Sequence, residues 1–197
     1  RSLREFKAPK EAYLDQEILL KGEEACSLQS CYRLLQTGEK ILMTGPGGMG
    51  KTRFLAEIWK RSLERYAPDL PVAVYVPLAD YQETKEESYY IRKYLLRHLC
   101  FFNEAQDMET ALHELKRQLE SQKCLRLMLL LDGLNESGES RSRLLKEIEE
   151  MGNKTGIGIL FTDRSDGGMK NGPKGFMRAR LLPLSGRAVG ERPGKEG

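Results

Sequence analysis

The sequence predicts an α/β protein in which a parallel β-sheet lies between two layers of helices. Short apolar runs alternate along the chain with segments whose apolar residues recur at the spacing of a helix. Strands that alternate with helices favour a parallel sheet covered on both faces. The 197 residues, of which 40% are hydrophobic and 31% are charged, suffice for one domain with a buried core.

Five strands and five helices can be placed along the chain from these patterns. Apolar runs predict strands at residues 40–44, 72–76, 125–131, 157–161 and 180–184. Helical periodicity predicts helices at residues 24–36, 51–66, 88–100, 103–122 and 140–151.

The chain divides into a core and two flanking segments. We expect a lead-in of linker and helix at residues 1–37, the core at 38–184, and a disordered tail at 185–197, which can bury little surface. No apolar run is long enough to span a membrane, and residues 1–20 lack the apolar core and cleavage site typical of a signal peptide. Its four cysteines follow no zinc-binding spacing, so we expect reduced thiols and a cytoplasmic location.

A glycine-rich loop follows the first predicted strand. It fits the pattern G-x-x-x-x-G-K-[ST] with Gly45, Pro46, Gly47, Gly48, Met49, Gly50, Lys51 and Thr52. Glycines let the backbone curl around a triphosphate, and the N-terminus of the next helix adds a positive dipole. We expect Lys51 to reach the β- and γ-phosphates and the Thr52 hydroxyl to ligate Mg²⁺. Arg53, the next residue, is also a candidate for nucleotide binding.

Two alternatives to an adenine-nucleotide site can be weighed from the sequence. A glycine-rich turn could fit the pattern by chance, but the strand before the loop and the helix after it favour phosphate binding. A guanine site would require Asn-Lys-x-Asp after a strand, whereas residues 153–156 read Asn-Lys-Thr-Gly and precede one. We therefore expect ATP or ADP with Mg²⁺, although the sequence does not identify the residues that select adenine.

Two acidic residues follow the most apolar predicted strand. Asp132 ends that strand, where the carboxyl ends of parallel strands bind ligands, and it is the candidate Mg²⁺ ligand. Glu136 is the candidate to orient or deprotonate the attacking water. A simple Asp-Gly turn is the alternative for Asp132, and an ordinary loop glutamate is the alternative for Glu136. The phosphate loop earlier in the chain favours the metal role.

Arg164 comes directly after the next predicted strand and is a candidate to contact the γ-phosphate. A solvated loop arginine is the alternative. If Asp132 and Arg164 both flank the phosphate loop, the fourth strand must lie between the first and the third. The sequence therefore predicts the spatial order 1-4-3-2, with the fifth strand beside the first.

These three elements resemble the NACHT family of signal-transducing P-loop ATPases, which belongs to the STAND class. Residues 130–136, Leu-Leu-Asp-Gly-Leu-Asn-Glu, are similar to the extended acidic motif of the family. Asn135 departs from that motif, which usually has aspartate there, whereas Glu136 agrees with it. Residues 45–52 match the phosphate loop of the family, and residues 162–164 are similar to its sensor arginine motif.

The resemblance covers residues 38–184 and implies the core of a P-loop NTPase switch. Such proteins hold ADP in a closed state, exchange it for ATP, then open and oligomerise. A helical and a winged-helix subdomain follow the sheet in the family, and we expect this chain to stop before them. The resemblance thus implies a weak ATPase with a signalling role, homo-oligomers on activation, and effector and sensor partners that the sequence does not name.

Two other functions remain open from the sequence. A small P-loop kinase would use the basic residues between 170 and 180 as a lid, and a DNA-associated ATPase would use them on phosphates. The residues concerned are Lys170, Lys174, Arg178 and Arg180. The net charge of +3 and the lack of a recognition helix make nucleic acid an unexpected partner, and a solvated loop is the favoured interpretation.

Overall fold

The computed structural model of the chain describes residues 16–20, 24–79, 81, 89–99, 107–121, 126–164 and 172–183. Within them the elements are β1 (Glu17–Leu20), β2 (Glu24–Ser27), α1 (Leu28–Gln36), β3 (Lys40–Thr44), α2 (Lys51–Glu64), β4 (Val72–Pro77), α3 (Tyr90–His98), α4 (Met108–Ser121), β5 (Leu127–Asp132), α5 (Arg141–Lys154), β6 (Gly158–Asp163) and β7 (Met177–Leu181). The predicted tail at 185–197 lies outside the described residues.

These strands form one sheet in the spatial order β2-β1-β7-β3-β6-β5-β4. Neighbouring strands from β7 to β4 run parallel, whereas β1 pairs antiparallel with both β2 and β7. The predicted order 5-1-4-3-2 is thereby confirmed. The register places Thr44 beside Asp163 and Pro77 beside Asp132, so the polar strand ends meet at one edge of the sheet.

The segment before β3 differs from the sequence prediction. A helix was expected from residue 24, but Glu24–Ser27 form β2 and the helix begins at Leu28. The Ser27 hydroxyl accepts a hydrogen bond from the Ser30 backbone N–H at 3.2 Å and so caps α1. Ile18 of β1 pairs with Cys26 of β2, and both side chains are buried in the core that also contains residues of α1 and α2. The domain division at residue 37 stays a prediction.

The last strand begins earlier than the sequence predicts. Instead of 180–184, β7 spans Met177–Leu181. Ala179 and Leu181 are buried, whereas Arg178 and Arg180 alternate with them on the exposed side. The charge of the two arginines hides the alternation of buried and exposed residues that marks this strand, so its start at Met177 was missed.

Two cores lie on opposite faces of the sheet. The side chains of β5 divide between them, with Met128 and Leu130 packed on the face of α1 and α2. Leu129 and Leu131 pack on the other face with α3, α4 and α5. The predicted three-layer α/β sandwich is confirmed, and the central strands β5 and β6 are buried along almost their whole length because both of their faces are covered.

A buried carboxylate joins two helices of the second layer. Glu147 of α5 is 6% exposed and accepts hydrogen bonds from the backbone N–H groups of Ile91 and Arg92, both at 3.1 Å. These two N–H groups belong to the first turn of α3, and the N-cap residue Tyr89 makes no side-chain capping hydrogen bond. Burial raises the pKa of the Glu147 carboxyl, and the two backbone hydrogen bonds oppose that shift. The start of α3 therefore depends on a residue far along the chain.

We expect Glu147→Gln to lower the free energy of unfolding by about 1–3 kcal/mol, because an amide oxygen leaves one buried N–H group without an acceptor. Urea unfolding followed by circular dichroism measures the change. Glu120→Gln, on the exposed side of α4, is the matched control and should stay within about 0.5 kcal/mol of the parent. Equal stability of the two variants would contradict the capping role.

Candidate functional site

The phosphate loop connects β3 to α2 and has the backbone geometry that its glycines permit. Gly48 has φ 77° and Gly50 has φ 91°, both in the left-handed region that side chains disfavour. Gly50 is the N-cap residue of α2, and it has no side chain that could accept a hydrogen bond from the first turn of the helix. The first N–H groups of α2 therefore face the loop without a side-chain acceptor, which suits an anion.

The Lys51 side chain is hydrogen-bonded to the backbone at the start of this loop. Its Nζ donates hydrogen bonds to the carbonyl oxygens of Gly45 at 2.6 Å and Pro46 at 2.8 Å. The ammonium group is thus fixed beside the loop backbone. A phosphate entering the loop would meet this charge at once, and a charge-assisted bond to phosphate is stronger than one to a neutral carbonyl.

One cavity of about 460 Å³ brings most of the predicted site residues together. It is lined by Gly47, Gly48, Gly50, Lys51, Thr52, Arg53, Ala56, Glu57, Trp59, Lys60, Asp132, Gly133, Asn135, Glu136, Thr162 and Arg164. Of the predicted set, Gly45, Pro46 and Met49 are not among the lining residues. They contribute backbone carbonyls that hold Lys51 and Gln16 instead.

Asp132 reaches the cavity from the end of β5, and both of its carboxylate oxygens accept hydrogen bonds. The Thr162 hydroxyl donates to Oδ1 at 2.7 Å, and the Tyr75 hydroxyl donates to Oδ2 at 2.8 Å. The Thr162 oxygen in turn accepts from the Gly133 backbone N–H at 2.8 Å. The carboxylate is therefore oriented by two hydroxyl groups from the strands on either side of β5.

Glu136 follows Asp132 on a short 3-10 turn, Leu134–Glu136. Leu134 is fully buried and anchors the turn, whereas the Glu136 side chain is exposed at the cavity. Gly133 has φ 84°, and a Cβ there would lie 3.5 Å from the Glu136 carboxyl. The glycine thus permits the turn that brings Glu136 back toward Asp132.

Thr162 and Asp163 at the end of β6, and Arg164 directly after it, have three different environments. Thr162 contacts Asp132, as described above. Asp163 is 1% exposed and forms a two-bond ion pair with Arg141 of α5, at 2.8 and 2.6 Å. Its hydrogen bonds raise the pKa of the Arg141 guanidinium. Arg164 is exposed, and its guanidinium lies 3.9 Å from the position of a Cβ on Gly47, over the phosphate loop.

Gln16, Tyr75 and Arg141 support the site from outside the cavity lining and were not predicted from the sequence. Gln16 is 6% exposed, and its Nε2 donates to the Met49 carbonyl at 3.0 Å and to the Leu182 carbonyl at 3.3 Å, so that it holds the loop from behind. Tyr75 and Arg141 position the two aspartates. A hydroxyl inside the apolar strand VAVYVP was a usable signal for Tyr75, whereas Gln16 and Arg141 carry no local pattern.

Some other predicted features can also be located. Lys170 lies outside the described residues, and the described members of that basic stretch, Lys174, Arg178 and Arg180, do not line the cavity. In the described part of the chain, no helix is long and apolar enough to cross a membrane. Nor do the described residues group three His, Cys, Asp or Glu side chains as a metal site.

The residues present fit a magnesium nucleotide better than a metal bound by protein alone. The Thr52 hydroxyl and the Asp132 carboxylate line the same cavity and are hard oxygen ligands. Mg²⁺ usually takes one or two protein ligands and completes its shell with phosphate and water oxygens. A donor set of this size and kind therefore suits the ion.

Comparison with solved structures finds weak likenesses. The Aeropyrum pernix ORC1 protein in complex with DNA has TM-score 0.49 and 17% identity, over 73% of this chain and 39% of that one. A DNA replication initiation factor has TM-score 0.42 and 16% identity, over 70% and 36%. PCH-2 of C. elegans has TM-score 0.42 and 16% identity, over 79% and 41%. The aligned part is thus under half the length of each of these structures.

Sequence comparison is more informative. A search of curated proteins gave no match. The family model of the NACHT domain matches residues 39–186. This range holds the phosphate loop, the Asp132 strand and Arg164, and it spans well over half of the 197 residues. The chain therefore belongs to the NACHT family of P-loop NTPases.

Proposed function

We propose that this NACHT domain binds ATP or ADP with Mg²⁺ and works as a slowly hydrolysing, nucleotide-dependent signalling switch. The observation that carries the proposal is the single cavity shared by Lys51, Thr52, Asp132, Glu136 and Arg164. These residues come from three neighbouring strand ends. They supply phosphate binding, metal ligation, water positioning and γ-phosphate contact within one space.

Binding of the phosphates is assigned to the loop and the start of α2. The backbone N–H groups around Gly47, Gly48 and Gly50 would surround the negative charge. Lys51 would exchange its two loop carbonyls for phosphate oxygens. Arg53 lines the same cavity and is kept as a further candidate contact.

The metal is assigned to Thr52 and Asp132. These two residues would hold the ion, and the chemistry it would supply is neutralisation of the charge on the phosphates. The protein contributes the orientation of Asp132, which Thr162 and Tyr75 fix by hydrogen bonds at 2.7 and 2.8 Å. An oriented carboxylate loses little freedom when it binds, which favours ligation.

Slow hydrolysis follows from the groups that face the cavity. Glu136 is exposed and would orient the attacking water, while Asn135 stands where the family usually has a second carboxylate. Arg164 is also exposed and would contact the γ-phosphate. Water around these groups screens their charges, and so weakens them compared with a closed, dry site.

The switch role adds partners and a location to the proposal. Exchange of ADP for ATP would alter the contacts of Arg164 and favour a homo-oligomer, with effector and sensor proteins still to be identified. A cytoplasmic location is kept in the proposal, because the four cysteines follow no zinc-binding spacing and are expected to be reduced thiols. A kinase remains the alternative, since an acceptor hydroxyl could occupy the place assigned to water beside Glu136.

We expect Lys51→Ala to weaken binding of a fluorescent ATP analogue by about 10–100-fold, because charge-assisted hydrogen bonds to the phosphates are lost. The fold should be kept, since Lys51 lies at the start of α2 on the cavity and is not part of either hydrophobic core. Lys60→Ala is the matched control, as Lys60 lines the same cavity two and a half turns further along α2. Unchanged affinity in Lys51→Ala, or equal losses in both variants, would refute the assignment.

We expect Asp132→Asn and Glu136→Gln to separate binding from hydrolysis. Asp132→Asn should raise the Mg²⁺ concentration needed for nucleotide binding, because one ligand charge is removed. Glu136→Gln should leave binding unchanged and lower the single-turnover rate by about 100-fold or more, as expected for loss of a general base.

The same assays test the switch role itself. The parent chain should turn over more slowly than about 1 per second, below the range typical of metabolic enzymes. Turnover at many per second would contradict a switch. Transfer of the phosphoryl group to an added small-molecule alcohol would instead favour the kinase alternative.

A further inference from the structure

Tyr75 is the polar residue within β4, and its hydroxyl contacts the candidate metal ligand Asp132. It is half-buried, and its ring packs with the core on the face of α1 and α2. In the sheet register Tyr75 stands opposite Leu130, two residues before Asp132, and Pro77 stands opposite Asp132. Because both side chains point to the same face, the long phenol reaches forward to Asp132 Oδ2 at 2.8 Å.

The Asp132 carboxylate is the final acceptor of the hydrogen bonds described around it. The Gly133 N–H donates to the Thr162 oxygen, so the Thr162 proton is free to be donated to Asp132 Oδ1. The Tyr75 proton is donated to Oδ2. A terminal carboxylate otherwise rotates in a broad torsional well. Two donors from two different strands therefore fix the plane of the carboxylate.

The hydroxyl of Tyr75 is not needed to hold the strands together. Strands β4 and β5 already pair over their full length, from Val72 opposite Leu127 to Pro77 opposite Asp132. The ring supplies the packing, and phenylalanine would supply it equally. What the hydroxyl adds is its hydrogen bond to the carboxylate.

We propose that Tyr75 is a positioning residue for the magnesium aspartate and sets the Mg²⁺ concentration at which the domain binds nucleotide. Its hydroxyl holds Asp132 so that the remaining lone pairs of the carboxylate face the cavity that Thr52 also lines. Partners that orient a metal-ligating group commonly change metal affinity 10–100-fold when removed. This inference rests on the proposed role of Asp132 as a magnesium ligand.

The test is a Mg²⁺ titration of fluorescent ATP-analogue binding to the full chain, with binding in EDTA measured in parallel. Tyr75→Phe should raise the half-saturating Mg²⁺ concentration by about 10-fold and leave affinity in EDTA unchanged. Tyr90→Phe is the matched control, because its hydroxyl donates to the Pro77 carbonyl at 2.9 Å, at the same end of β4. That variant should titrate like the parent.

Asp132→Asn is measured beside them, so that the two proposals can fail separately. If Asp132→Asn raises the Mg²⁺ requirement and Tyr75→Phe does not, the role of Tyr75 is refuted and the metal site stands. If Asp132→Asn has no effect, the proposed metal site itself is refuted. Tighter Mg²⁺ binding in Tyr75→Phe, or an equal loss of affinity in EDTA, would also overturn the positioning role.

Discussion

The insertion of β6 between β3 and β5 is the constraint on which the site depends. Neighbouring strands lie about 4.8 Å apart, so β5 stands about 10 Å from the strand that carries the phosphate loop. That gap leaves room for a ligand between Asp132 and the loop, and β6 fills the sheet behind it. Residues at the end of β6 therefore contact both neighbouring strand ends. Thr162 donates a hydrogen bond to Asp132 at the end of β5, and Arg164 lies near Gly47 in the loop that follows β3.

This arrangement places polar groups at the most buried strand of the sheet. Every residue of β6 is buried, including Thr162 and Asp163 at 1% exposure. Each of these two is satisfied, Thr162 by Asp132 and the Gly133 N–H, and Asp163 by Arg141. A buried ion pair adds little net stability, because desolvation offsets the attraction. The Asp163–Arg141 ion pair connects the end of β6 to α5 and thereby fixes the position of the next residue, Arg164.

The features that were predicted from the sequence are those encoded by consecutive residues. The phosphate loop and the Asp132 strand each occupy one short segment, and the strand order followed from requiring that Asp132 and Arg164 both flank the phosphate loop. The failures concern partners distant in sequence. Gln16 contacts Met49 across 33 positions, and α3 begins where Glu147 caps it from α5. The β1 and β2 strands are four residues each, too short to show a period.

The residues behind the phosphate loop are held by hydrogen bonds, whereas several residues that line the cavity are exposed to solvent. Behind the loop, Gln16 holds the Met49 carbonyl to the end of β7, and the aspartates are held by hydroxyl and guanidinium donors. In front, Thr52, Glu136 and Arg164 are exposed. A ligand can shift a conformational equilibrium only through groups that contact it differently in the two states. On the proposed function, Arg164 is suited to that task, because its guanidinium lies beside Gly47 of the phosphate loop while its neighbour Asp163 is anchored to Arg141. A γ-phosphate would therefore change the contacts of Arg164 without disturbing the sheet that positions it.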